Sequence, residues 1–290
     1  MTIKTRSLAK VNLGLEVLHK RGDGYHEIRT LFQSIDLHDV ITFQEIRTSR
    51  IVLEGDHDSV PWNQDNLVYK AASLLKKARK IPDGVKINIQ KNIPPGSGLG
   101  GGSSNAAVTL LALNSLWDLG FEREELKEIG RKLGADVPYF LEGGLCLGEG
   151  AGDQVSLKED LKKHYCLLIL PPMSLSTEAV YKGYQPSLTS RDKGSRIIKF
   201  LQSRDIGILE NDLEETARRF HPRLEDIKRY LQSCRAQLSL MSGTGSAVFG
   251  FFRERERAED ALSSYCYEDT LYLAETVTRE KYWDYLGTGV

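Results

Sequence analysis

Apolar residues alternate with polar ones over residues 9–18, where Val11, Leu13, Leu15 and Val17 fall on one face, so this stretch is predicted to be a strand. A GDGY turn at 22–25 closes it. Strands are also predicted over 31–35, 40–44, 51–54 and, through Val85, Ile87 and Ile89, just before a glycine-rich segment. The period changes over 66–80. There Leu67, Ala71, Leu74, Leu75 and Ala78 share one side of a helix and lysines occupy the other. Residues 104–116 carry almost no charge on any side, which predicts a buried helix. An amphipathic helix is predicted over 121–133, stopped by 134–136 and Pro138. Residues 140–149 read as a strand or hairpin interrupted at Gly143 and Gly144.

The charged stretch 158–164 is a candidate boundary, dividing the chain into residues 1–157 and 158–290. The second part reads as a strand at 165–170, helices near 177–182 and 195–201, and a helix at 222–235. Strands at 238–241 and 247–252 follow around the turn SGTG, then a helix at 253–263 and a strand at 271–277. The polar segment 186–196 between the first two helices is expected to be flexible. Strand, helices, two strands, helix, strand is the ferredoxin-like order. Two α+β domains are therefore expected.

Composition narrows the partners. The 290 residues are 40% apolar and 27% charged, and 39 Lys and Arg balance 40 Asp and Glu to a net charge of -1. Neither nucleic acid nor a membrane surface is expected as a partner. No stretch of 18 apolar residues and no leader-like start are visible, so a cytoplasmic protein is expected. The cysteines Cys146, Cys166, Cys234 and Cys266 are well separated and read as reduced, small hydrophobes. The six histidines show no metal-ligand spacing, and no protein metal ligands are expected.

The densest chemical signal is KNIPPGSGLGGGSSNAA, residues 91–107. Glycines permit turns that side chains would block, and a helix starting after them aims unpaired N–H groups back into the loop. That combination suits a phosphate. Gly96, Gly98 and Gly101 spell GxGxxG, but a Rossmann unit would need a parallel strand with an acid after the helix, and here a second helix follows. No Walker lysine ends the loop. A purely structural turn is the remaining reading, and it would order many glycines without a ligand to offset the entropy.

Four further segments join this one in a family pattern: AKVNLGLEVLHKRGDGYHEI at 9–28, LGADVPYFLEGGLCLGEGAGD at 133–153, MSGTGSAVF at 241–249 and NDLE at 211–214. With PPGSGLGGGSSNAA at 94–107, they make the chain resemble the GHMP kinase superfamily over nearly its whole length. The Gly-Tyr-His of the first segment is similar to the branch whose acceptor alcohol carries a cytidine diphosphate group. The pattern often begins with proline where this chain has Ser7 and Leu8.

The resemblance implies a two-domain α+β GHMP kinase fold, with an N-terminal ribosomal-protein-S5-like domain and a C-terminal ferredoxin-like domain. It implies ATP with Mg2+ as phosphoryl donor, an acceptor hydroxyl on a cytidylyl alcohol of non-mevalonate isoprenoid synthesis, and a monomer or weak homodimer. A homoserine or mevalonate kinase of the same fold, or a non-catalytic nucleotide-binding protein, are the alternatives.

By resemblance, Asp136 is the catalytic base, and Lys10 stands beside it to offset charge on the attacking oxygen. From the residues alone, Asp136 is equally a turn aspartate and Lys10 a sheet-edge lysine. Asn12 shares a strand face with Lys10 and is expected at the acceptor. Tyr25 and His26 are expected to read cytosine, with Tyr181 on the other face of the base and Thr177 and Gly243 nearby. Pro95, Gly96, Ser97, Gly98, Leu99, Gly100, Gly101, Gly102, Ser103, Ser104 and Asn105 are expected to wrap the nucleotide phosphates, Ser103 and Ser104 through their hydroxyls, with Ser104 near Mg2+. Asn66 and Lys91 are expected on the adenosine side.

Overall fold

The computed structural model describes residues 1–185 and 194–287. The chain opens with a long antiparallel pair, β1 (Thr2–Lys20) and β2 (His26–Ile46), joined by the GDGY turn. The pairing register slips at three places, including Leu8/Ala9 and Asn12/Gly14, beside the residues that reach the site. β3 (Ile51–Gly55), helix α1 (Leu67–Arg79) and β4 (Gly84–Gln90) follow. The glycine-rich loop leads from β4 into α2 (Gly101–Leu116). Then come α3 (Arg123–Arg131), α4 (Val137–Phe140), β5 (Leu145–Glu149) and β6 (Gln154–Leu157). The free edge of β2 is shared: its Val40–Ile46 end takes β4 and its Thr30–Gln33 end takes β5. With β3 parallel to β4, the first sheet has six strands.

The second sheet contains β7 (Tyr165–Leu170), β8 (Leu238–Met241), β9 (Val248–Phe252) and β10 (Thr270–Glu275), in the antiparallel order β10-β7-β9-β8. This is the expected ferredoxin-like arrangement. Between β7 and β8 lie α5 (Thr177–Gly183), α6 (Arg196–Ser203), α7 (Glu214–Phe220) and α8 (Arg223–Ser233). α9 (Arg255–Ser263) joins β9 to β10, and α10 (Arg279–Leu286) follows.

Side-chain alternation explains how the layers stack. Along β7, Leu167 and Ile169 pack with Leu224, Ile227 and Ala258 of the helices. Cys166, Leu168 and Leu170 share a core with Ala9, Val11 and Leu13 of β1. The second sheet is therefore buried on both faces, and one of them rests on the strand that carries Lys10. The other side of the first sheet packs on α1 and on α2, whose Ala106–Leu113 run is buried throughout.

Several elements differ from the sequence expectation. Residues 31–35 and 40–44 belong to one strand, because the polar stretch between them holds Asp39, a fully buried residue that continues the ladder. Pro138 lies in the first turn of α4, where its missing N–H costs nothing, so it starts a helix instead of only ending one. Residues 140–144 are consequently not strand, and β5 begins at Leu145. β6, α7 and α10 were not expected. α10 leaves the second sheet and packs Tyr282 and Leu286 into the core of the first, with the Tyr282 hydroxyl donating to the Phe140 carbonyl at 2.6 Å. Most of the segment expected to be flexible, 186–193, lies outside the described residues.

Candidate active site

The two sheets enclose a cavity of about 1270 Å³. That exceeds the roughly 300–1,000 Å³ of a pocket for one small ligand and leaves room for two. β4 delivers the chain to its wall as Pro94–Gly98, and α2 starts there at Gly101 with Gly100 in the left-handed conformation at φ 74°. Gly98 is also left-handed, at φ 80°, and a Cβ on it would lie 2.2 Å from the Ser242 carbonyl oxygen, so only glycine fits. The loop is stitched to the second sheet. The Ser242 hydroxyl donates to the Gly98 carbonyl at 2.9 Å, and the Ala247 N–H donates to the Ser97 carbonyl at 3.0 Å.

Lys10 stands between the two glycine loops. A Cβ at Gly100 would be 3.1 Å from its Cε, and one at Gly243 would be 3.6 Å from its Nζ. The residue is only 3% exposed, and its ammonium lies 3.3 Å from Asp136 Oδ2 and donates to Asn12 Oδ1 at 2.5 Å. Asn12 Nδ2 donates to the Thr30 hydroxyl at 2.8 Å, and that hydroxyl donates to the Gly14 carbonyl. The amide is thus held in one orientation, oxygen toward the ammonium. Asp136 stays partly open to the cavity and lies at the N-terminus of α4. A buried cation touching an accessible carboxylate can order an acceptor hydroxyl and receive its proton.

At one side of this centre the cavity is aromatic. Tyr25, His26, Tyr181 and Tyr184 line it, with Lys20. Tyr25 is 65% exposed at the β1–β2 turn. The rings of His26 and Tyr181 stack directly, with centroids 5.2 Å apart and planes inclined by 20°. At that separation no third ring fits between the two. Burial, assisted by Lys20, pushes the His26 imidazole below its ordinary value. Burial, and then the Asp136 charge, pushes the Tyr181 phenol up. The Thr177 and Thr244 hydroxyls are 3.0 Å apart and tie α5 to the second glycine loop.

On the other side, Trp62, Asn66 and Leu67 at the start of α1 face Gly102, Lys91 and Asn105. Asn66 caps α1, accepting from the Val68 N–H at 2.9 Å. Lys91, expected on the adenosine side, turns its side chain inward. Its ammonium is buried and donates to Asp39 Oδ2 at 2.7 Å and to the Ile93 carbonyl at 2.5 Å.

The cavity brings together every site residue expected from sequence except Leu99 and Ser104. The Leu99 side chain is fully buried in the core, and its carbonyl accepts from the Lys10 N–H. The Ser104 hydroxyl points away from the loop. It donates to the Leu8 carbonyl at 2.6 Å and lies 2.7 Å from the Ser7 hydroxyl, so it is not a phosphate or Mg2+ contact here. Ser97 turns its hydroxyl onto the Pro94 carbonyl and offers the cavity main chain. Sequence reasoning missed Thr30, Phe32, Trp62 and Thr244. Thr244 lies within the quoted MSGTG motif, whereas the others have no local signature.

A phosphate-sized loop of main-chain amides beside an ammonium–carboxylate pair is a phosphoryl-transfer arrangement, and the chain belongs to the GHMP kinases. The GHMP kinases N terminal domain matches residues 66–144 and the GHMP kinases C terminal domain residues 197–268. The two-domain GHMP kinase fold expected from sequence is the fold observed. More particularly, the chain is 38% identical to the 4-diphosphocytidyl-2-C-methyl-D-erythritol kinase of Alkaliphilus metalliredigens, over 97% of this chain and 99% of the relative. It superposes on a crystal structure of 4-(cytidine 5'-diphospho)-2C-methyl-D-erythritol kinase with a TM-score of 0.79 at 33% identity, covering 94% and 99% of the two chains. A homoserine kinase from Cytophaga hutchinsonii has a TM-score of 0.76 at 19% identity over 96% and 95%, which is a likeness of fold alone. Among the described residues no helix is long and apolar enough to cross a membrane.

Proposed function

We infer that this chain is an ATP-dependent small-molecule kinase that transfers the γ-phosphoryl group to the 2-hydroxyl of 4-diphosphocytidyl-2-C-methyl-D-erythritol, yielding the 2-phosphate and ADP. The step belongs to non-mevalonate isoprenoid synthesis. The single observation that carries this reading is the Lys10–Asp136 contact at 3.3 Å, set between a glycine loop and a cluster of aromatic side chains in one cavity.

The triphosphate lies along residues 95–103, whose amides and the Ser103 hydroxyl face it. Asp136 accepts the proton of the acceptor hydroxyl, while the Lys10 ammonium offsets charge on the attacking oxygen. Phosphoryl transfer needs this positioning and charge neutralisation more than covalent help from the protein. Asn12 keeps the ammonium aimed. The cytosine ring lies against Tyr25 and Tyr181, exchanging the His26–Tyr181 contact for its own, and the neutral His26 ring both donates to and accepts from the base edge. Gly243 lets the second loop approach Lys10 and Asn12.

Among the described residues no three His, Cys, Asp or Glu side chains gather to hold a metal. Mg2+ would come in with the nucleotide phosphates, with Ser103 and Asp136 of the cavity lining as the protein oxygens that would hold it and charge neutralisation as its contribution.

A coupled ADP-release assay with Mg-ATP tests the reading. Turnover is expected with the cytidylyl alcohol and not with homoserine or mevalonate. Turnover of either of those without the cytidylyl alcohol overturns it.

A further inference from the structure

The NDLE segment at 211–214 does not line the cavity, yet it holds part of the wall. Asn211 is buried, and its Nδ2 donates to two carbonyls of the second glycine loop, that of Met241 at 2.9 Å and that of Gly243 at 2.7 Å. Its Oδ1 accepts from the Leu213 N–H at 3.0 Å. Both ends of the amide are therefore used, and among side chains of its size only the amide offers two donors and an acceptor. Glu214 takes the other side of Met241, its Oε1 accepting from the Met241 N–H at 2.7 Å.

The segment is itself fastened to the strand that carries Lys10. The Leu15 N–H donates to the Glu210 carbonyl and the Asp212 N–H to the Leu15 carbonyl, both at 2.9 Å, so Asn211 lies in a short bridge beside β1. The loop it holds borders the Lys10 site. Gly243, Thr244 and Gly245 line the cavity, and the Ser242 hydroxyl accepts from the Asn12 N–H at 3.3 Å. A Cβ at Gly243 would lie 3.1 Å from Asn12 Oδ1. Gly243 and Gly245 have φ of 58° and 87°, and glycine restrains the backbone least of all residues, so the place of this loop must be imposed from outside it. Two carbonyl bonds from one anchored amide do that.

On the kinase reading above, we propose that Asn211 is a positioning residue for phosphoryl transfer, which fixes the second glycine loop against Lys10 and Asn12. Without its two bonds the loop recedes from Asn12, and the Lys10 ammonium loses the wall that keeps it within reach of Asp136. The loss is felt where the reacting groups are aligned and not where either substrate is gripped. A misplacement of about 1 Å at such a centre can cost about 10²-fold in rate.

Asn211→Asp keeps the size of the side chain and the acceptor for Leu213, but sets a carboxylate oxygen against two carbonyls. In steady-state kinetics on the full chain it should lower kcat by about 10–100-fold, with KM for Mg-ATP and for the cytidylyl alcohol nearly unchanged, the mark of alignment lost in the transition state. Amide hydrogen exchange of the free protein, read by mass spectrometry, should quicken in the peptide 241–247 and stay as in the wild type in β7 and α2. Asp212→Ala is the comparison for stability alone. It removes the acceptor of the Val17 N–H at 2.9 Å and the ion pair with Arg196 from the same segment, and neither contact involves the loop. It should lower Tm and leave kcat and the exchange of 241–247 as they are. Asn211→Ala buries no new charge, is expected to behave as Asn211→Asp does, and decides the matter if that variant does not fold. Normal kcat or unchanged exchange of 241–247 in a folded Asn211 variant overturns the proposal, as does an equal loss of kcat in Asp212→Ala. So does a rise in either KM that accounts for the whole loss in kcat/KM. A mistaken acceptor in the proposed function shows instead as a wild type that does not turn over the cytidylyl alcohol, and the exchange comparison, which uses no substrate, then still decides.

Discussion

The glycine-loop end and the aromatic end of the cavity, proposed above to take the nucleotide and the acceptor, are built from different materials. The nucleotide end is main chain held by buried bonds: glycines at positive φ, two carbonyls stitched to the opposite sheet, and an ammonium fixed by Asp39. The acceptor end is side chains on separate elements, with Tyr25 largely in solvent at a turn and Tyr181 on a short helix. Its rings already satisfy each other, since His26 stacks on Tyr181. A triphosphate is the same in every reaction of such an enzyme, and rigid amides suit it. The acceptor is what distinguishes one kinase from another, and interchangeable side chains are the natural place for that choice.

If the two ends are independent and meet at Lys10 and Asp136, substitutions should separate cleanly. Asp136→Asn strikes the junction. It should lower kcat by about 10²–10⁴-fold while ATP still binds, as read by steady-state kinetics and a binding titration. Near-normal kcat would remove Asp136 from proton transfer. Tyr181→Ala should raise KM for the cytidylyl alcohol by roughly 5–150-fold, the worth of one base stacking on an aromatic ring, and leave KM for ATP alone. An equal effect on both would break the division between the ends. Ser103→Ala is the converse. Its hydroxyl has no partner among the described residues, and its loss should raise KM for ATP by about 10–100-fold, as for a hydrogen bond to a charged group.

The smallest effect is in pH. The His26 imidazole lies below its ordinary value of 6.5 because burial and Lys20 disfavour the cation. It is therefore neutral at and above neutrality and gains a proton only as the pH falls below 6.5. KM for the alcohol should be flat above that point and rise a few-fold below it (roughly the worth of one hydrogen bond). His26→Gln should remove the rise, and a rise that persists in the variant would assign it to another group.

The same difference in material explains what could be read from the sequence. A main-chain cavity wall writes itself as contiguous glycines, and residues 94–103 were legible as part of the site on that account. Lys10 and Asn12 were placed on one face by the period of a strand. Asp39 left no mark, because a buried aspartate between apolar strand residues looks like a break between two strands. Its partners become neighbours only when β2 and β4 pair. Ser104 was misplaced because a helix start rotates successive side chains by about 100°, so adjacent serines face different ways. α10 was missed because a single short helix carries little periodic signal, and its reason for existing is a core 281 positions upstream, where the Leu286 carbonyl accepts from the Thr5 hydroxyl.

That last contact bears on synthesis in the cell. The apolar layer behind β1 is complete only when α10 docks, since Tyr282 and Leu286 belong to it. Although amino-terminal halves commonly fold first during translation, here the core behind the first sheet includes residues from α10. A product ending before α10 would keep Lys10 and Asn12 on an open core, a form that invites quality control.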